Sequence, residues 1–524
     1  MLVLYNAQIY NPSLPQNAVT ALAIDHGKII AAGSNENILA EFSSCPHKEN
    51  MSGKFILPGL TDAHIHLEHF SHSQTLIDCE TTTLDETLKR LADRVKVTPP
   101  GMWIRGHGWN QNLWAGGFGN AEMLDQIAPR NPVYLTAKSL HASWANSSAL
   151  TIAGINSQTP DPTGGQIQRT PNGEPTGILF ESAMRLVEEV IPEQTLDETI
   201  KNLAAAQKIL WEMGITAVHD FDGARCFSAL QVLDSEKQLH LRVLKAIREE
   251  MLEPALEIGL RSGFGSDFLR MGSLKLFMDG ALGPQTAAML EPYEGTNQKG
   301  ILLLNSDSLF EYGQKAARGG FGLAVHAIGD AANRAALDGF TRLRKFEQSE
   351  HLPTLRHRIE HVQLLHPADK ARLARLQVIA SMQPIHATSD KDMAERHWGK
   401  RSELAYAWQT IRESGAPYAF GSDAPVETPN PFIGLHAAVT RCRSGETLDH
   451  AWYPTERLNL ADAIAGFTTG AAYAAGWEDW QGKLQPGYAA DLILLDQNIF
   501  EISPNDLPGI KPIGTMVAGQ WVWR

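Results

Sequence analysis

The sequence predicts an α/β fold: a (β/α)8 barrel carrying a small β-sandwich built from both chain ends, with an insertion after the first barrel strand. Three observations predict it. Short apolar strand patterns alternate with helical stretches through the middle of the chain, and eight such strands can be counted. Residues able to bind a metal or handle a proton fall at the C-terminal ends of several of these strands, where barrels of this kind place their chemistry. The strand-rich texture of the first residues returns in the last ones.

In chain order, residues 1–57 read as short strands and turns: Leu2–Tyr10, Ala21–Asp25 and, after a His26-Gly27 turn, Lys28–Gly33. They cannot build a core alone. The matching texture in Ala490–Asp496 and Gly514–Trp523 supplies the complement, so residues 1–57 and 479–524 are expected to share one sandwich, with the barrel spanning 58–478.

The barrel opens with Phe55-Ile56-Leu57-Pro58-Gly59-Leu60-Thr61-Asp62-Ala63-His64-Ile65-His66. On a strand, two histidines separated by one residue point to the same face, and paired neutral imidazoles suit zinc and similar cations. Taken alone, the pair fits a polar surface or a satisfied core as readily as a metal. The remaining strands are placed at Gly214–Asp220, Leu241–Ile247, Ser273–Met278, Gly322–His326, His357–His361, Val378–Gln383 and Pro417–Asp423. Residues from about 102 to 182 break the alternation. They are rich in Trp, Gly and turn dipeptides such as Asp161-Pro162 and Pro171-Asn172-Gly173, and are read as an insertion folded over the barrel mouth, where it could supply substrate contacts, a solvated excursion with no role being the alternative.

Four further strand ends carry chemistry. Lys275 stands within the apolar run Ser273–Met278, an expensive place for an ammonium unless something neutralises it. His326, His361 and Asp423 follow at the ends of later strands. Any one is weak, but five such strand ends in this order make coincidence improbable.

Composition sets the outer limits. The chain has 524 residues, 43% hydrophobic and 20% charged, enough for a large core and more than one domain. No run of about 18 apolar residues could cross a bilayer, so no membrane role is expected. The formal charge of −14 disfavours a nucleic-acid surface. The N-terminus lacks the basic region of a signal peptide, and the expectation is a cytoplasmic protein. The four cysteines, Cys45, Cys79, Cys226 and Cys442, are too scattered for a disulfide framework or a thiolate zinc site.

Together, the Pro58–His66 stretch, Lys275, His326, His361, Ser422-Asp423-Ala424-Pro425 and Gly487–Leu492 resemble the amidohydrolase superfamily of metal-dependent hydrolases, whose barrels are of the TIM type. The branch is the one similar to N-substituted formamide deformylase, and the resemblance covers nearly the whole chain. It implies that His64 and His66 bind the more buried ion, that His326 and His361 bind the second, and that Asp423 touches the first ion while moving the proton. Lys275 matches the position where many members carry an N-carboxylated lysine between two metals; an unmodified lysine beside one zinc is the alternative. The implied cofactor is zinc, one or two ions, with other divalent metals open.

The same resemblance implies attack of a metal-activated water on a small amide or N-substituted formamide, a carbon–nitrogen bond outside peptides. Esters, lactones or cyclic amides on the same site, and a non-catalytic regulatory or binding protein keeping the barrel, are the rivals. The expected partner is a small-molecule substrate, and a homo-oligomer stays open. His141, Asp279, Gln383 and His386 are candidate substrate contacts, with packing or capping the alternative for each. His69 and His72 are read as non-ligands and His219 as a ring hydrogen-bonded inside the barrel. Gly283-Pro284-Gln285-Thr286 stands where relatives often have Gly-Ser-Arg-Thr, so an arginine contact common in the family is absent.

Overall fold

A computed structural model describes residues 1–12, 18–114, 116–138 and 141–524. The chain divides into two compact units, one formed by Met1–Phe70 with Leu203–Arg524 and the other by Ser71–Asn202.

The first unit is built on eight parallel strands: β1 (Leu60–Ile65), β2 (Ile215–Asp220), β3 (Arg242–Arg248), β4 (Leu269–Phe277), β5 (Leu323–Ala327), β6 (Arg358–His361), β7 (Ile379–Met382) and β8 (Tyr418–Phe420). They pair in sequence order, with β1 and β8 at the ends of the ladder. The sheet closes on itself through a parallel bridge between Ile65 and Ala424. There the Asp423 N–H donates to the His64 carbonyl at 2.7 Å and the His66 N–H to the Ala424 carbonyl at 2.9 Å. β1 and β2 are buried along their whole length, as a parallel sheet covered on both faces requires. Helices run between the strands, several started by an asparagine cap that accepts a backbone N–H of the first turn: Asn305, Asn430 and Asn459.

Each predicted strand is present, with ends shifted by a few residues. β8 is the shortest relative to expectation, because Gly421–Pro425 leaves the ladder after Phe420 and turns Asp423 into the left-handed region at φ 62°.

The chain ends come together beside the barrel. A five-stranded sheet takes Gln8–Ile9 and Phe55–Pro58 from one end and Leu492–Leu495, Gly514–Val517 and Gln520–Trp523 from the other. A four-stranded sheet holds Lys28–Gly33, Ala21–Asp25, Leu2–Tyr5 and Lys48–Asn50. Leu4, Ile24, Ile56, Leu492 and Met516 pack in one cluster between them.

The five-stranded sheet runs into β1 through Gly59. A Cβ there would sit 2.2 Å from Thr216 Oγ1, so only glycine lets the chain cross against β2. The junction is locked by a buried ion pair. Arg242, at the start of β3, donates from Nε and Nη2 to the two carboxylate oxygens of Asp491 at 2.6 and 3.0 Å. Asp491 also accepts the Ala518 N–H.

The second unit holds a six-stranded sheet in the order Gly165–Arg169, Pro175–Glu181, Ala142–Ala145, Val133–Ala137, Ile104–Trp109 and Ile77–Asp78. Trp109 stacks on Trp114 in its core, and Trp144 meets Trp114 edge-on. The segment predicted as an insertion over about 102–182 lies inside this unit, which begins earlier and ends later. The extra length is structural, since the Ile77–Asp78 strand and the helix Leu84–Val97 pack with the same sheet. Among the described residues no helix is long and apolar enough to cross a membrane.

Removing one partner of a buried pair leaves the other charge stranded, at a cost of about 3–5 kcal/mol. Arg242→Met is therefore expected to lower the thermal unfolding temperature clearly, and Arg242→Met combined with Asp491→Leu to recover much of the loss. Calorimetry on the three proteins checks this.

Candidate metal centre

The C-terminal ends of β1, β5 and β6, with the turn after β7, deliver five imidazoles to one place. Ring centroids are 5.7 Å apart for His66 and His64, 5.0 Å for His64 and His361, 4.6 Å for His361 and His326, and 6.2 Å for His361 and His386. His64 and His66 share the inner face of β1 because they are two residues apart on an extended chain.

Four of these rings have one nitrogen tied to an acceptor that carries no proton. His64 Nδ1 meets Glu360 Oε2 at 2.7 Å, His66 Nδ1 meets Asp222 Oδ1 at 3.0 Å, and His361 Nδ1 meets Gln383 Oε1 at 2.9 Å. His326 does the reverse, with Nε2 2.9 Å from the Gly280 carbonyl. A carboxylate or carbonyl oxygen only accepts, so the tied nitrogen must donate. The other nitrogen of each ring then keeps its lone pair.

Asp423 faces these lone pairs. Its Oδ1 is 3.5 Å from His64 Nε2 and 3.5 Å from His66 Nε2. His64 Nε2 is buried and has no hydrogen-bond partner. Three proton-free donors turned toward one another would repel unless a cation lies among them. Two ligands at about 2.0–2.1 Å from a tetrahedral zinc stand roughly 3.4 Å apart, which the observed separations match. The donor set therefore fits a divalent metal.

Electrostatics favours the same state. Burial, reinforced by the Lys275 charge, holds His64 well below the usual histidine range and His326 at about 4. His361 is held down by burial and by His326. Neutral imidazole is the metal-binding form. Lys275, 3% exposed, is lowered to about 8 by burial against the pull of Glu360 and Asp423. Its ammonium lies 4.4 Å from the Phe221 ring centroid and makes no hydrogen bond or ion pair among the described residues.

His361, His386 and Asp423 also bring ligand atoms within 4.8 Å of one another. Here the bonding differs. Gln363 Nε2 donates to His386 Nδ1 at 3.3 Å, which puts the ring proton on Nε2, 3.9 Å from Asp423 Oδ2. At that distance the nitrogen makes no hydrogen bond to the carboxylate. A third group, His66, His69 and Asp222, is a carboxylate bridging two rings, with His69 Nδ1 2.6 Å from Asp222 Oδ1. Burial pushes Asp222 up, and the hydrogen bonds from His66 and His69 more than reverse it.

The expected substrate contacts fare unevenly. Asp279 is corrected: it is 1% exposed, and its oxygens accept the N–H groups of Ala288, Ile328 and Gly329 at 2.8–3.0 Å, so it pins the loops after β4 and β5. Burial raises it to about 7 even so. Gln383 acts on His361, leaving its buried Nε2 without a partner. His386 stands beside Asp423. His141 belongs to the other unit, exposed, with Nδ1 3.0 Å from Glu181; Ser139 and Leu140, which begin its segment, lie outside the described residues. His219 is bonded inside the barrel, accepting from Arg358 Nη1 at 2.8 Å.

Sequence reading missed the residues that hold the rings. Glu360 adjoins His361 and reaches His64 from a strand almost 300 residues away in sequence. Arg358, on the same face of β6, donates to Glu360, to the Ala63 carbonyl and to His219. Asp222 closes the His219-Asp220-Phe221-Asp222 run, whose acidic end at a strand terminus was the available signal. Asp62 accepts the N–H groups of His64 at 3.1 Å and Ser422 at 2.9 Å, tying β1 to the Asp423 loop.

A parallel barrel that gathers neutral imidazoles around a carboxylate at its C-terminal rim defines the class of metal-dependent hydrolases. Comparison narrows it: residues 49–523 match the model described as the amidohydrolase family, and the chain belongs to that family, in its branch 3. It is similar to Protein LONG AFTER FAR-RED 3 of Arabidopsis thaliana, 33% identical over all of this chain and 91% of that one. It is also similar to N-substituted formamide deformylase of Arthrobacter pascens, 25% identical over 99% of this chain and 97% of that one. Among solved structures, a metal-dependent hydrolase from Pyrococcus horikoshii OT3 superimposes with a TM-score of 0.79 at 28% identity, covering 96% of this chain and 98% of that one.

Carboxylates that orient metal-binding histidines typically carry a 10–100-fold share of metal affinity. Asp222→Asn is expected to weaken divalent-metal binding by about that factor while the fold persists, read by chelator competition alongside circular dichroism.

Proposed function

We propose that this protein is a zinc-dependent hydrolase of carbon–nitrogen bonds outside peptides, acting on small amides or N-substituted formamides. The observation that carries the reading is Asp423 Oδ1 standing 3.5 Å from the lone-pair nitrogens of both His64 and His66. The deformylase relative, matched along nearly its whole length, supports the substrate class.

In this reading His64, His66 and Asp423 hold the first ion. His326 and His361 would hold a second, with Lys275, as a carbamate, available as a further ligand. That group forms when the neutral amine adds carbon dioxide and releases a proton, turning a buried cation into an anion that dications favour. When bound, a divalent cation supplies Lewis acidity, polarising a carbonyl oxygen and lowering the pKa of water toward about 7.

The chain's own groups do the rest. The Asp423 carboxylate takes a proton from the attacking water and returns it to the leaving nitrogen, so that amide and water become carboxylic acid and amine, the acid then giving its proton to the amine. His386 Nε2, buried without a hydrogen-bond partner, stands 3.9 Å from Asp423 Oδ2. Asp423 is fixed for this task by its own N–H bond to the His64 carbonyl and by the neighbouring Ser422, which donates to Asp62.

Asp423→Asn is expected to keep bound zinc, measured by elemental analysis, and to lose at least about 100-fold in kcat. Near-normal turnover would overturn the proton role. Wild-type protein assayed on matched formamides, amides and esters tests the bond class; a preference for esters would replace the carbon–nitrogen assignment.

A further inference from the structure

At the mouth of the barrel two side chains are exposed that neither folding nor the metal set explains. Arg248 ends β3 and pairs in the ladder with Lys275 of β4. Ala246, two residues earlier, packs inside the barrel against Phe221 and Ala324. The alternation of a strand therefore sends Arg248 to the same inner face, one step nearer the opening. Its guanidinium lies across Gly223, where an added Cβ would meet Arg248 Cζ at 3.5 Å. Gly223 follows Asp222, the carboxylate that ties His66 and His69.

Arg248 is exposed, and among the described residues its guanidinium makes no hydrogen bond or ion pair. The acidic residue after it, Glu249, is engaged by the Tyr312 hydroxyl.

Phe277 ends β4 in the same way. It is two residues beyond Lys275, on the same face, and pairs in the ladder with His326. Its ring is 5.3 Å from the His326 ring and 5.0 Å from the Lys275 ammonium, yet Phe277 is 46% exposed. The exposed Leu302 lies on a segment bridged to Asp279, with the Leu303 N–H on the Met278 carbonyl at 2.7 Å. An open aromatic ring beside candidate metal ligands and an unpaired guanidinium on the adjacent strand make two kinds of contact available. One is apolar surface; the other is a planar cationic fork that matches a carboxylate in two-point contact.

We propose that Arg248 and Phe277 form the recognition edge of this site, and that the substrate is an amide whose non-reacting part carries a carboxylate next to an apolar group. The proposal rests on the hydrolase reading above for the reacting bond. It makes Arg248, from β3, the anchor for a substrate anion. An N-formyl or N-acyl amino acid with an apolar side chain has the required shape.

The test uses the zinc-loaded full chain with four probes, each in both enantiomers where chiral: N-formylphenylalanine, its neutral carboxamide, N-formylglycine and N-formylalanine. The acid is expected to exceed its carboxamide in kcat/KM by roughly 10–100-fold, the range of a charge-assisted hydrogen-bonded pair. Arg248→Gln should collapse that ratio through KM. Phe277→Ala should instead collapse the preference for phenylalanine over glycine.

Calorimetric binding of the same acid and carboxamide to wild-type and Arg248→Gln protein separates recognition from chemistry. If no probe is hydrolysed but the acid binds and the variant loses it, the recognition edge stands and the bond assignment falls. If acid and carboxamide bind and react alike, or the variant leaves their ratio unchanged, the recognition edge is refuted.

Discussion

The structure depends on a charged relay sealed inside the barrel. Arg358 and Glu360 are two residues apart on β6 and so share its inner face, where Arg358 donates to the carboxylate at 3.0 Å. Neither is more than 2% exposed. At such depth an unpaired charge would be prohibitive, whereas the pair, with further donors from Arg358 to the Ala63 carbonyl and His219, satisfies itself. The second carboxylate contact of Glu360 is the His64 ring, whose orientation and protonation are thereby set. Everything at the metal centre is referred to that ring: His66 through the strand they share, His361 through ring contact, and Asp423 through its backbone bond to the His64 carbonyl.

The seam where the barrel closes is the second constraint, and it involves the same few residues that frame the candidate metal centre. β8 ends early, and the chain then passes over β1 so closely that a Cβ on Gly421 would sit 2.4 Å from the His64 nitrogen. Asp62 receives the backbone of both strands, and Ser422 adds a hydroxyl bond to it. Asp423 is left at φ 62° and His361 at φ 75°, conformations that cost of order 1–3 kcal/mol each for a residue with a side chain. That strain persists because ladder and carboxylate bonds on either side over-determine it. It turns an aspartate and a histidine out of strand geometry and toward the cation site.

Much of this was legible along the chain. The alternation of apolar strands and helices placed eight barrel strands to within a few residues, because a strand buried on both faces must be a short apolar run. The His-x-His pair and the isolated His326, His361 and Asp423 stood out because polar groups at the ends of such runs are rare without a task. Asp279 looked like the same kind of signal and was not one; its proximity to Lys275 hid the fact that three loop amides surround it. Glu360 and Asp222 were in plain view beside other motifs, but what they do depends on rings contributed from β1.

By itself the sequence determined the element types, their order and the chemical identity of the groups at the strand ends, since periodicity and residue chemistry are local properties. Tertiary structure decided which nitrogen of each histidine is left for a metal, which carboxylates orient those rings, and that an arginine and a phenylalanine stand open at the mouth. Those outcomes follow from barrel closure, which brings together groups hundreds of residues apart, and from burial, which makes every unpaired charge or donor there too costly to leave unassigned.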